Sequence, residues 1–217
     1  LNEQLLQTWS KENAIIVDNF KNNSNDVVIK VYAVDNAGNK NEKSTSIKID
    51  ITKPSISVLY DNNNGDTSFA DGTYFKADRT ATIVITERNF DKDKVKITIK
   101  NEHGIIPKIS DWKTVRGKGN GDDTTHTAKI TYKNDGDYKF NITCEDKVGN
   151  PNKTVDFGLS LAPKQFTIDK TIPTASISYD NNKSKNGNYY KEARVATITV
   201  KEHNFDASRA KVNIKAT

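Results

Sequence analysis

Apolar and polar residues alternate with period two along much of this chain, and one alternating stretch is written twice. In Thr80-Ala-Thr-Ile-Val-Ile-Thr-Glu-Arg-Asn-Phe-Asp91, the residues Ala81, Ile83 and Ile85 share one parity, while Thr80, Thr82 and Thr86 share the other. Alternation of this kind places the two sets on opposite faces of a β-strand. The stretch returns as Val195-Ala-Thr-Ile-Thr-Val-Lys-Glu-His-Asn-Phe-Asp206, and the strand that follows it, Val95-Lys-Ile-Thr-Ile99, returns as Ala210-Lys-Val-Asn-Ile214. A segment repeated within one chain predicts an array of similar units.

The same pattern extends the array in both directions. Val27, Ile29, Val31 and Ala33 form one strand face, with Lys30 and Tyr32 on the other. Asp35-Asn-Ala-Gly-Asn39 then supplies turn residues, because Gly38 tolerates positive φ and the Asp and Asn side chains bond to nearby backbone. A strand over residues 44–50 runs to Pro54, which cannot donate to a ladder and suits a linker. That linker is also repeated: Ile49-Asp-Ile-Thr-Lys-Pro54 matches Ile168-Asp-Lys-Thr-Ile-Pro173, and each precedes a strand ending at Tyr60 or Tyr179, an offset of 179 − 60 = 119 residues. The pattern therefore predicts one complete unit over residues 51–169. Its strands fall at 56–60, 80–86, 94–100, 126–132 and 137–145, with a last one between 155 and 168 and an edge strand over 105–109. Phe90, Trp112, Tyr138 and Phe140 are the large residues expected in its core. Aligning Asp35 with Asp146 sets Val27, Ile29, Val31 and Ala33 opposite Tyr138, Phe140, Ile142 and Cys144, so residues 1–50 read as the closing strands of one unit. Residues 170–217 read as the opening strands of another. Only residues 1–9 suggest a short helical turn.

Composition narrows the picture. A mean hydropathy of −0.74 and an apolar share of 34% suit several small units with thin cores. No apolar run reaches the length of a membrane helix, and no basic segment followed by an apolar one opens the chain, so any export signal is expected outside it. The net charge of +5 comes from Lys scattered among 28 acidic residues, the mark of a solvated face rather than a nucleic-acid surface. Cys144 stands alone and has no partner in the chain for a disulfide.

At Asn134-Asp-Gly-Asp-Tyr-Lys-Phe-Asn-Ile-Thr-Cys144 the chain resembles the Asp-x-Gly-x-Tyr corner of immunoglobulin-like folds, with Asn134 in the Asp place. Together with Asp-x-x-Gly-Asn at residues 35–39 and 146–150, and the Ile-Asp-x-Thr-x-Pro linkers, it resembles the bacterial immunoglobulin-like tandem repeats of Gram-positive surface proteins and adhesins. The resemblance implies an all-β chain of tandem immunoglobulin-like β-sandwich modules, one complete (51–169) and two partial (1–50 and 170–217). It further implies secretion, a cell-wall or cell-surface location, and a stalk role without catalysis, in which the partners are neighbouring modules of the same chain. A non-catalytic accessory region of a secreted polysaccharide hydrolase is an alternative reading.

Candidate chemistry gathers at the end of the repeated strand. Glu87 continues the inward parity of Ile83 and Ile85, and Glu202 that of Ile198 and Val200. A carboxylate at the end of a core face must be paired, hydrogen-bonded or hydrated. Glu87, Asn89 and Asp91, with Glu202, Asn204 and Asp206 in the second copy, form either a structural turn or a structural calcium site. The junction residues Asp50, Asp61, Asn62 and Asp169 offer further oxygens. Tyr74, Phe75, Tyr189 and Tyr190 follow equivalent loops and are read either as packing on a neighbouring module or as a contact for a glycan or host protein. The three His, at 103, 126 and 203, do not recur as a set, and His203 stands where the first copy has Arg88, which argues against a shared His chemistry. No nucleophile elbow or phosphate loop accompanies them, and no enzyme activity is expected.

Overall fold

The computed structural model describes residues 21–61, 74–152, 155–156, 165–180 and 184–215. The expected helical turn at 1–9 lies outside them. Among the described residues every element is a strand apart from two single 3-10 turns, so the described structure is all-β.

β1 (Ser24–Val34) and β2 (Lys40–Ile49) form an antiparallel hairpin across the expected turn, where Gly38 takes φ 88°. The carboxylate of Asp35 fixes that turn by accepting from the amides of Ala37 and Asn39. The central region holds the largest body of structure. Its first sheet places β3 (Ser55–Tyr60) beside β5 (Arg79–Thr86), then β8 (Thr125–Tyr132) and β7 (Lys113–Val115), with the two-residue β11 (Val155–Asp156) on the other edge. In the second sheet β9 (Gly136–Glu145) is flanked by β6 (Lys96–Asn101), β10 (Pro151–Asn152) and β12 (Gln165–Ile168), and β4 (Tyr74–Phe75) runs parallel to β12.

The two sheets share one core. The first contributes Ile56, Val58, Ala81, Ile83, Ile85, Ile130 and Tyr132, and the second Phe75, Tyr138, Phe140, Ile142, Cys144, Phe166 and Ile168. Burial along β5 alternates residue by residue, as the period-two pattern requires. Tyr138 and Phe140 are buried as expected, whereas Phe90 and Trp112 pack against the core from its rim. The Tyr138 hydroxyl donates to the Asn134 carbonyl at 2.9 Å and pins the turn that leads into β9.

Two expectations need correction. Residues 105–109 make no strand: Ile109 alone bridges to Ile130, and the sheet edge is β7 instead. Pro107 lacks the amide a ladder needs, and Gly104 turns the chain at φ 72°. The single strand expected between 155 and 168 is two short ones in different sheets.

The repeat is reproduced in register as well as in sequence. β13 (Thr174–Tyr179) pairs with β14 (Ala196–Lys201) so that Ile177 faces Ile198 and Tyr179 faces Ala196, matching Val58 with Ile83 and Tyr60 with Ala81. Among the described residues no second sheet covers this hairpin, and Ile177, Ile198 and Val200 are exposed.

Candidate functional site

Glu87 reaches its place because β5 keeps its parity one residue past the ladder. The Glu87 amide donates to the Thr124 carbonyl at 2.9 Å, which carries the strand geometry forward, and the side chain turns in behind Ile85 with 3% exposure. His126 closes the site from the neighbouring strand. Its Nε2 lies 2.8 Å from the Glu87 carbonyl and its Nδ1 2.9 Å from the Thr114 hydroxyl. The Glu87 carbonyl can only accept, so Nε2 donates, and burial lowers the imidazole's proton affinity, which favours the neutral ring with Nδ1 accepting from the Thr114 hydroxyl. Phe90 stacks on that ring with centroids 4.1 Å apart, and Trp112 meets Phe90 edge-on, so the imidazole is held by an aromatic pair.

Two further acids arrive from elsewhere in the chain. Asp50 comes from the end of β2 and Asp146 from the end of β9, and one oxygen from each lies with one of Glu87 in a group less than 4.8 Å across. Asp146 is fully buried and accepts from the amides of Val148, Gly149 and Asn150 on one oxygen and from the Asn150 side chain on the other. Its first role is thus to fold its own turn, as Asp35 does in β1–β2. Asn89 joins the parts: its amide donates to Glu87 Oε1 at 2.7 Å and its Nδ2 to Asp50 Oδ2 at 2.6 Å. Burial, followed by the nearby negative charges of Asp50 and Asp146, pushes the Glu87 carboxyl up to about 7. A hard divalent cation would find oxygens from Asp50 and Glu87 here, with Asp146 largely committed to backbone amides.

The same geometry recurs at the second linker. The Asn204 amide donates to Glu202 Oε1 at 3.1 Å, and its Nδ2 donates to Asp169 Oδ2 at 2.8 Å. Asp50 and Asp169 both turn the linker by accepting from the amide two residues on, Thr52 and Thr171. Of the metal candidates, Glu87 and Asn89 come together, as do Glu202 and Asn204. Asp91 and Asp206 turn away to cap the 3-10 turns, accepting from the amides of Asp93 and Ser208. An Asp already holding an N-terminal amide in that way is poorly placed to serve a cation at the junction.

The aromatic candidates divide. Phe75 is 3% exposed and lies in the core, so it offers no surface for a ligand. The guanidinium of Arg79 sits 3.8 Å above its ring and 4.0 Å above that of Tyr60, with Phe166 as a third wall. Arg194 repeats this arrangement on Tyr179 and Tyr190. Tyr74 and Tyr189 remain at the surface, Tyr189 with 77% exposure. Neither arginine stands out among the candidate residues of the sequence. The signal is nevertheless there, since Arg79 shares the inward parity of Ala81, Ile83 and Ile85. Desolvation lowers the Arg79 guanidinium to about 10, offset by the nearby Tyr60 and Asp61.

No family model, curated protein or solved structure matches the chain.

Proposed function

We propose that this chain is a stretch of structural stalk from a secreted or wall-anchored bacterial surface protein, built from tandem immunoglobulin-like β-sandwich modules. The observation that carries the reading is the junction written twice. In each copy the Asp that ends one unit is hydrogen-bonded to the Asn that follows the inward Glu of the next, Asp50 to Asn89 and Asp169 to Asn204. A linker of a few residues tethered at both ends limits bending, which is what a spacer needs and a flexible tether does not. The shared core of two sheets and the Tyr138 hydroxyl bond support the immunoglobulin-like assignment. The aromatic clusters beneath Arg79 and Arg194 support a structural role for half of the aromatic candidates.

The second reading is a module that binds a glycan or host protein, and the exposure of Tyr189 favours it. One experiment separates the two. The intact chain is applied to glycan and host-protein arrays beside a Tyr74→Ala/Tyr189→Ala variant of equal melting temperature. The stalk reading expects no saturable binding by either. Saturable binding that disappears in the variant would replace it with the binding reading.

A further inference from the structure

The two junctions differ at a repeated position just after the repeated strand, and the difference brings a second histidine to the Glu102 carboxylate. Arg88 and His203 are equivalent in the repeat. At the first junction Arg88 reaches back to Asp122 at 3.0 Å and to the side chain of Asn25, tying the central region to the preceding hairpin. At the second, His203 reaches Glu102, a residue of the turn after β6, and His103 approaches the same carboxylate.

We propose that Glu102, Asp137 and His203, with His103 beside Glu102, form a binding site for a divalent transition ion of the zinc class, which clamps the second junction. Four observations support it. First, the donor set is one imidazole and two carboxylates, with the His103 imidazole 3.3 Å from Glu102 Oε1 as a further nitrogen, and these are the borderline nitrogen and oxygen ligands that zinc accepts. Second, the spacing fits. Ligands at zinc bond lengths of about 2.0–2.1 Å occupy tetrahedron corners about 3.3–3.4 Å apart, and His203 Nε2 lies 3.4 Å from Glu102 Oε1. One ligand atom each from Glu102, Asp137 and His203 falls in a group less than 4.8 Å across. Third, hydrogen bonding explains the cluster poorly. Both nitrogens are beyond the usual N–H···O range, and Glu102 Oε1 already accepts from the Asp137 amide at 3.2 Å, so two lone pairs would serve three donors. Fourth, the supporting groups are in place. The Thr167 hydroxyl donates to Asp137 Oδ1 at 2.6 Å and orients that carboxylate. Gly136, at φ 133°, leaves room that a Cβ would take, since one built there would lie 3.2 Å from both Glu102 Oε1 and the His103 ring.

The cleft around these residues is also lined by Asp135, Asp169 and Glu202, a surplus of negative charge that favours a cation. The ε-amino group of Lys170 is occupied by Asp78 at 2.9 Å and by the Lys133 carbonyl, and Lys201 is the lysine that lines the cleft among the described residues. Both imidazoles are more than half exposed, so an ion has a path in. The exchange of Arg for His between copies argues against a role common to both junctions, and the structure gives the two positions different partners. The site stands whether or not the stalk reading holds, because its ligands and test do not depend on what the chain connects.

The test uses the whole chain in metal-free buffer, titrated with zinc chloride by calorimetry and with cobalt(II) chloride by visible absorption. The expected result is one ion per chain, the intense bands of four-coordinate cobalt, and at least about a tenfold loss of affinity in His203→Ala and in Glu102→Gln. His203→Arg, which restores the first junction's residue, should abolish binding with unchanged melting temperature in the absence of metal. No saturable binding by the unmodified chain, or binding that survives both His203→Ala and Glu102→Gln, overturns the proposal.

Discussion

At the scale of single residues, Glu87 carries the most exposed prediction. Its folded-state carboxyl titrates near 7, above the ordinary Glu value of 4.5, because burial and two neighbouring acids disfavour the charge. Between those values the folded chain holds a proton that the unfolded chain has released, so stability falls as pH rises from about 4.5 to 7. A tenfold change in proton affinity corresponds to about 1.4 kcal/mol, which puts the loss at roughly 2–3 kcal/mol once relaxation and solvent screening around the site are allowed for. Glu87→Gln, which keeps the shape and removes the charge, should flatten that part of the pH profile and raise the melting temperature at pH 8. Calcium should act in the same direction on the parent chain at pH 8 if Asp50 and Glu87 hold it, and chelator should reverse the gain. A profile unchanged by Glu87→Gln would mean that the carboxyl is not strained by burial. A melting temperature indifferent to calcium and chelator would remove the cation site.

How much of this is legible depends on sequence distance. Parity alone places Glu87 inward, and its neighbour Asn89 lies within the same motif. The partnership with Asp50 is suggested by the repeated linker, whereas Asp146 becomes a neighbour only when β9 folds across the second sheet. His103 and His203 are 203 − 103 = 100 residues apart and both reach Glu102 from turns, after β6 and after β14, which have no periodic signature. Arg79 is hidden for another reason: a charge on a core face reads as an error in the pattern until the aromatic rings beneath it are seen.

At the scale of elements, the strands are the most readable part, since alternation and burial are one physical fact seen twice. The errors fall where backbone chemistry overrides side-chain pattern, as at Pro107, and where two short strands change sheets between 155 and 168. The repeated hairpins offer a direct comparison of what the covering sheet contributes. Ile83 is fully buried between the sheets, while Ile198, at the same place in the repeat and with the same cross-strand geometry, is 43% exposed. Ile83→Ala should therefore cost about 2–5 kcal/mol, the range for deleting a buried aliphatic side chain. Ile198→Ala should cost less than about 1 kcal/mol, as expected for a site with little packing to lose. Denaturant unfolding followed by near-ultraviolet circular dichroism measures both. Equal costs would show that β13–β14 is covered in solution.

At the scale of the whole molecule, the stalk reading rests on units that follow one another along the chain with restrained linkers, each restraint being the Asp–Asn–Glu contact found at both junctions. The Arg88 contact with Asn25 at the first junction and the His203 contact with Glu102 at the second add a second tie to each. Small-angle scattering of the intact chain tests this most directly. A single compact globule of 217 residues would have a radius of gyration of about 17 Å. A stalk of linked units predicts a value well above that, with a pair-distance distribution skewed to long distances and a Kratky plot that keeps the peak of folded units. A value near 17 Å, or a Kratky plot without a peak, would contradict it.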